Sequence, residues 1–232
     1  MPEAPSELIH LRDVRRRLGV SGGKAVEFAL ADFRVEPRQR IALTGPSGCG
    51  KSTLLNIVSG LARPDSGEVR ILGTDVARLA PGTADRFRGR HIGFVYQSFN
   101  LLEPFSALEN VVLGMRFGGT IPRHDRALRA RHLLEGVGLG HRLHSRPARL
   151  SVGERQRVAI ARAVAGRPEI LLADEPTGAL DPATADAVFQ LLLSVCEGEG
   201  CTLLLVTHDL ELASRLPTQV DCRGYVTAGG NP

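Results

Sequence analysis

Nine consecutive residues, "GPSGCGKST" from Gly45 to Thr53, follow the apolar run "RIALT" directly and set three glycines beside a lysine and three hydroxyls. This pattern, G-x-x-x-x-G-K-[ST], suits a chain that must wrap phosphates. Gly45, Ser47, Gly48, Cys49 and Gly50 offer backbone N–H groups while Pro46, which has none, holds the turn; Lys51 reaches the outer phosphates, Ser52 offers a hydroxyl to Mg²⁺, and Thr53 continues into a helix. A glycine-rich turn that happens to hold a lysine is the plainer alternative. Phosphate loops serve kinases, GTPases and ATPases alike, and a second site separates them. In "ILLADEPTGALD", Asp174 ends an apolar strand, where it can face Mg²⁺ directly or through water, and Glu175 can orient or deprotonate an attacking water. Gln97 after "HIGFVY" and His208 after "TLLLVT" also end apolar strands. One such residue is commonly just a turn; four at the carboxyl edge of one sheet point to one crevice.

A third stretch, "LSVGERQRVAIARA" from Leu150 to Ala163, has two readings. Ser151 followed by Glu154 is a capping box that satisfies the first N–H groups of a helix. The same hydroxyl, free N–H groups and Gly153 would also receive a phosphate at a helix N-terminus.

These residues need a scaffold. "RIALTG", "HIGFVYQ", "EILLAD" and "TLLLVTH" read as buried strands between helical stretches, so the core is a parallel sheet covered on both faces. "ELIHLRDV", "KAVEFALADFRVEP" and "GEVRILGTDV" suggest a small antiparallel subdomain. From Ala107 to Arg149 strand signals vanish, while "ALENVVLGM" and "RALRARHLLEGVGL" carry helical spacing, which predicts a helical insert. The tail "TAGGNP" is expected to fray.

A chain of 232 residues, 43% hydrophobic and 23% charged, is ordinary for a globular protein. No apolar run reaches the roughly 18 to 20 residues that cross a bilayer, and "MPEAPSELIHLRD" lacks the features of a signal peptide. The expected location is the cytoplasm. Cys49, Cys196, Cys201 and Cys222 are too few for a disulfide framework and are read as reduced; "CEGEGC" reads as a helix end before a strand rather than a zinc site. Net charge is +4, with arginine clusters at Arg15 to Arg17 and Arg123 to Arg131. They suit a solvated face, an anionic membrane surface or an acidic partner. Aromatics are 4% of the chain and none interleave with the arginines, which argues against nucleic acid.

In order, "GPSGCGKS", Gln97, "LSVGE", "ILLADEP", "GALD" and His208 resemble the Walker A, Q-loop, signature, Walker B, D-loop and H-loop of the ATP-binding-cassette ATPases, across nearly the whole chain. "IGFVYQSFNLLEPFSALENV" resembles the lipoprotein-release, macrolide-export and cell-division group within them. The resemblance implies an α/β P-loop NTPase fold of ABC type: a mostly parallel sheet core, an N-terminal antiparallel β-subdomain and a helical subdomain at about 99–158, within one domain spanning 6–232. It implies ATP and Mg²⁺ as ligands, and a homodimer in the ATP-bound state in which Lys51 and Ser52 of one copy face Ser151, Gly153 and Glu154 of the other. Ser52, Gln97 and Asp174 would meet the metal, Asp181 would communicate across the dimer, and His208 would hold the γ-phosphate near Glu175. Partners would be integral membrane permease subunits and an extracytoplasmic adaptor, with the chain peripheral on the inner face of the membrane.

Three positions depart from the family pattern. Leu18 aligns where an aromatic stacks on adenine. Val152 stands where glycine is usual, so that point is extended or strained. Gln39 replaces a common glycine. The implied function is the ATP-hydrolysing subunit of a transporter that exports or extracts a substrate through a separate permease. The rivals are an ATPase of this fold driving a mechanotransmission or signalling partner, and a repair or translation ATPase, which would carry coiled-coil, zinc or tandem-cassette insertions. Phe99, Leu101, Leu102 and Phe105 put more apolar surface after Gln97 than a loop needs, which suggests a groove for a short permease helix.

Overall fold

The structure, a computed structural model, describes residues 7–21 and 24–228. The last four residues of the expected frayed tail lie outside the described residues. The chain forms two compact units: residues up to Ala84 with those from His208 onward, and Asp85 to Thr207.

The first unit begins with β1 (Ile9–Ser21), β2 (Lys24–Val35) and β3 (Arg40–Thr44), then α1 (Lys51–Val58), β4 (Ser66–Ile71) and β5 (Thr74–Asp75). In β1, alternation buries Ile9 and Leu11, yet the next buried residue is Val14. Asp13 takes φ 50° and the pairing with β4 shifts register between Arg12 and Arg15. The bulge absorbs one residue and re-aims the strand, so Arg15 and Arg17 stay exposed.

The chain continues through α2 (Pro81–His91), none of whose residues is buried, into the second unit. There β6 (Ile92–Val95), α3 (Ala107–Leu113), α4 (Arg126–Gly136), α5 (Val152–Val164), β7 (Ile170–Asp174), α6 (Pro182–Glu199) and β8 (Thr202–Val206) follow in order. Strands β6, β7 and β8 are parallel neighbours, with Val95 opposite Ala173 and Asp174 opposite Val206. Every residue of β8 and the first four of β7 are buried, as a sheet covered on both faces requires. Helix α6 starts at Asp181, whose carboxylate accepts from Thr184 N at 3.1 Å, with Pro182 in the first turn, and stops at left-handed Gly200. Cys196 lies in α6 and Cys201 just before β8, and all four cysteines are free and buried.

The chain then returns to the first unit through α7 (Leu210–Ser214), β9 (Thr218–Asp221) and β10 (Val226–Ala228). The antiparallel sheet runs β10-β2-β1-β4-β5, and β3 pairs in parallel with β9. Among the described residues no helix is long and apolar enough to cross a membrane.

Candidate functional site

The phosphate loop joins β3 to α1 in the first unit. Gly45 and Gly50 have φ of 135° and 107°, and neither tolerates a side chain: a Cβ on Gly45 would lie 2.8 Å from Cys49 Sγ, and one on Gly50 2.9 Å from the Phe28 ring. Phe28 itself is fully buried, so the core sets the height of the loop. No side chain caps α1 and its first turn holds no acid. Its N–H groups are therefore suited to an anion. Lys51 is buried, and its ammonium donates to the carbonyls of Gly45 at 2.6 Å and Pro46 at 3.0 Å. Its charge is held against the loop from inside. Pro46, Ser47, Gly48 and Ser52 are exposed and Thr53 is half-buried. His208 is exposed, one residue ahead of Asp209, whose carboxylate caps α7. Leu18 is 40% exposed and falls in the register shift between Arg17 and Gly19.

The carboxylates belong to the second unit. Asp174 closes β7, and Glu175 N donates to Val206 O at 3.0 Å. Glu175 has φ 47°, a left-handed conformation that costs a residue other than glycine about 1–2 kcal/mol. The left-handed residue turns the chain just past the end of the strand. A Cβ on Gly178 would meet Gln97 Nε2 at 3.0 Å and Glu175 Cβ at 3.6 Å. Gln97 and Glu175 are thus brought together around a residue that has no side chain.

Helix α5 begins with a complete capping box. Ser151 Oγ accepts from Glu154 N at 3.2 Å, and Glu154 Oε2 accepts from Ser151 N at 2.8 Å. Arg142 donates to the other carboxylate oxygen at 3.1 Å. The Ser151 N–H above all, with the Arg142 guanidinium, holds the Glu154 carboxyl below its usual range. Ser151 is exposed. Val152 is the first helical residue and is not left-handed; the expected extended or strained loop is an ordinary helical turn, which a valine accepts. Gly153 faces α6, where a Cβ would lie 2.8 Å from Thr184 Cγ2.

Four side chains that sequence reasoning passed over anchor this helix. Gln156, fully buried, donates to Pro176 O at 2.6 Å. Arg155 lies over the Phe99 ring at 5.5 Å, Arg162 donates to the carbonyls of Phe99 and Asn100, and Arg142 completes the cap. The signal available was the spacing of Arg155 and Arg162, two turns apart on one face. Phe99 is therefore no part of a free apolar patch. Leu102 and Phe105 are exposed at 48% and 37%, and Phe105 lines a groove of about 640 Å³ between α3 and α4, with Leu108, Val112, Arg116, Arg123 and Arg126.

The family model for ABC transporters matches residues 28–178. This chain belongs to the ABC transporter family. It is 48% identical over 206 residues to the lipoprotein-releasing system ATP-binding protein LolD 2 of Caulobacter vibrioides, covering 89% of this chain and 90% of that one. It is 46% identical to LolD of Nitrobacter hamburgensis, over 92% and 91% of the two chains. Among solved structures, a dimeric ATP-binding cassette in a post-hydrolysis state bound to ADP and Pi matches with a TM-score of 0.79 at 36% identity, over 92% and 93% of the chains. A dimeric bacterial ABC transporter cassette matches with a TM-score of 0.82 at 35% identity, over 96% and 100%. The chain has the ABC ATPase fold, and it is an ATP-binding ATPase of ABC type.

Proposed function

We propose that this chain is the ATP-hydrolysing subunit of a complex that extracts lipoproteins from a membrane through a separate permease. The observation that carries the substrate class is the similarity to LolD proteins over nine-tenths of both chains. In this reading residues 6–232 act as one nucleotide-binding domain, with a helical subdomain at about 99–158. Two copies close head to tail on two ATPs at the inner face of the membrane. The groove lined by Phe105 and Arg126 receives a cytoplasmic helix of the permease, and an extracytoplasmic adaptor is the outermost part of the assembly.

The residues divide the work. The N–H groups of Gly45 and of residues 47–50, in the loop that Pro46 shapes, and the ammonium of Lys51 bind the phosphates, with Thr53 in the first turn of α1. Glu175 takes a proton from the attacking water, and His208 holds the γ-phosphate in line. Ser52, Gln97 and Asp174 supply a hydroxyl, an amide and a carboxylate, the hard oxygen donors that Mg²⁺ accepts alongside water and phosphates. Bound there, the ion would neutralise charge on the transferred phosphoryl group. Ser151, Gly153 and Glu154 address the phosphate held by the other copy, and Asp181 lies in the segment that passes the signal between copies.

The test is purification of the tagged chain from membranes of its own cell. This reading expects a permease with a large extracytoplasmic domain and acylated protein in the same complex. A membrane partner that brings a cell-wall hydrolase activator and no acylated protein would overturn it.

A further inference from the structure

Two residues beyond Gln97 the backbone turns left-handed twice in succession, at Phe99 with φ 61° and at Asn100 with φ 49°. Asparagine tolerates that conformation; phenylalanine does so only when its surroundings impose it. Both impositions come from one helix. Arg162 of α5 donates from its two terminal nitrogens to the two successive carbonyls, at 2.7 Å to Phe99 O and 2.5 Å to Asn100 O, and Arg155, two turns earlier, covers the Phe99 ring. Arg162 makes no ion pair among the described residues, and burial holds its pKa below the ordinary guanidinium value. A half-buried guanidinium without a carboxylate loses part of its hydration, and the two carbonyls that the left-handed turn aims at it stand in for the lost water. The rigid fork of an arginine fits two adjacent oxygens in a way that a single ammonium does not. The helix so employed is the one that Ser151 starts, and the turn so held separates Gln97 from the exposed Leu102 and Phe105.

We infer that Arg162 is a positioning residue: with Arg155 it clamps the turn after Gln97 to α5, so that the Gln97 side chain reaches the nucleotide's metal only while α5 and the turn move as one. The inference rests on the assignment of Gln97 to Mg²⁺, and the measurements below separate the two.

In nucleotide-free protein, Arg162→Met should speed hydrogen exchange of the amides from Ser98 to Phe105 about tenfold or more, with less effect on β7 and β8. In turnover it should raise the Mg²⁺ concentration for half-maximal ATPase about tenfold, with kcat at saturating Mg²⁺ changed much less. Arg162→Lys, which keeps the charge and loses the fork, should fall between. Phe99→Gly added to Arg162→Met should recover most of the Mg²⁺ response, because glycine takes the left-handed turn without a clamp; a residue needed only for packing gains nothing from that change. In a Gln97→Ala background, Arg162→Met should add no further Mg²⁺ defect. Unchanged exchange at 98–105, or no recovery with Phe99→Gly, would overturn the clamp. An unchanged Mg²⁺ response in Gln97→Ala alone would overturn the metal assignment, while the exchange measurement still decides the clamp.

Discussion

Helices α3 and α5 start with the same four-residue device, Ser106 to Glu109 and Ser151 to Glu154, and both form a complete capping box. Their surroundings differ. Ser106 is only 9% exposed, and the next two N–H groups are taken up from within the unit: Ala107 N donates to Ser145 O at 2.8 Å and Leu108 N to Leu143 O at 2.9 Å. Ser151 is exposed, Val152 is 38% exposed, and Gly153 adds no side chain to the opening. One cap is closed by its own chain and the other faces outward with its N–H groups and hydroxyl together. The same motif is therefore enclosed in one place and left open in the other; what differs is whether the rest of the chain covers it.

The largest effect sharpens the comparison by fixing the state in which the open cap should act. Glu175→Gln keeps the shape of the side chain and loses the base, so ATPase activity should fall about 100-fold or more while ATP still binds. Turnover near the parent rate would remove Glu175 from the reaction. Next, the two serines should separate stability from activity. Ser106→Ala, buried and bonded to Glu109, should cost up to about 2 kcal/mol of unfolding free energy, and Ser151→Ala about 1 kcal/mol or less. Denaturant melts measure both. Turnover per folded molecule should drop only in Ser151→Ala; equal losses in both would mean that the open cap is no more than a cap.

The smallest effect is in acid. Hydrogen bonds from Ser106 hold Glu109, and chiefly the Ser151 N–H holds Glu154, below the ordinary carboxyl value of 4.5. A depressed carboxyl stabilises the fold above its unfolded value, and that contribution is lost as pH falls through its folded value. The melting temperatures of Glu109→Gln and Glu154→Gln should therefore lie slightly below the parent at pH 7 and converge on it as pH drops below 4.5. A gap that widens in acid would contradict the cap chemistry.

Much of this was legible in the sequence because it is local. A strand, a loop of glycines and a helix specify the phosphate loop within fifteen residues, and the cap of α5 follows from two side chains three apart. The strands β3, β7 and β8 were visible as apolar runs because they are buried on both faces, and β6 because its half-buried face carries Ile92 and Phe94. Helix α2 was not, since none of its residues is buried and no periodicity marks it. The short edge strands β9 and β10 carry too few apolar residues to stand out. The clamp of Arg162 on Phe99 joins residues 63 apart in sequence, and Val152 looked anomalous only until the helix was seen to begin there.

The central claim is that Ser151 of one copy reads the phosphate bound by another. The Glu175→Gln background holds ATP without consuming it, so any dimer should persist. Size-exclusion chromatography with Mg-ATP should move Glu175→Gln from monomer to dimer. Adding Ser151→Arg should strongly reduce that shift while leaving the monomer folded, and replacing Val152 by glycine instead should leave dimerisation equal or improved. An undiminished dimer in Glu175→Gln with Ser151→Arg would contradict the account and leave Ser151 as a helix cap alone.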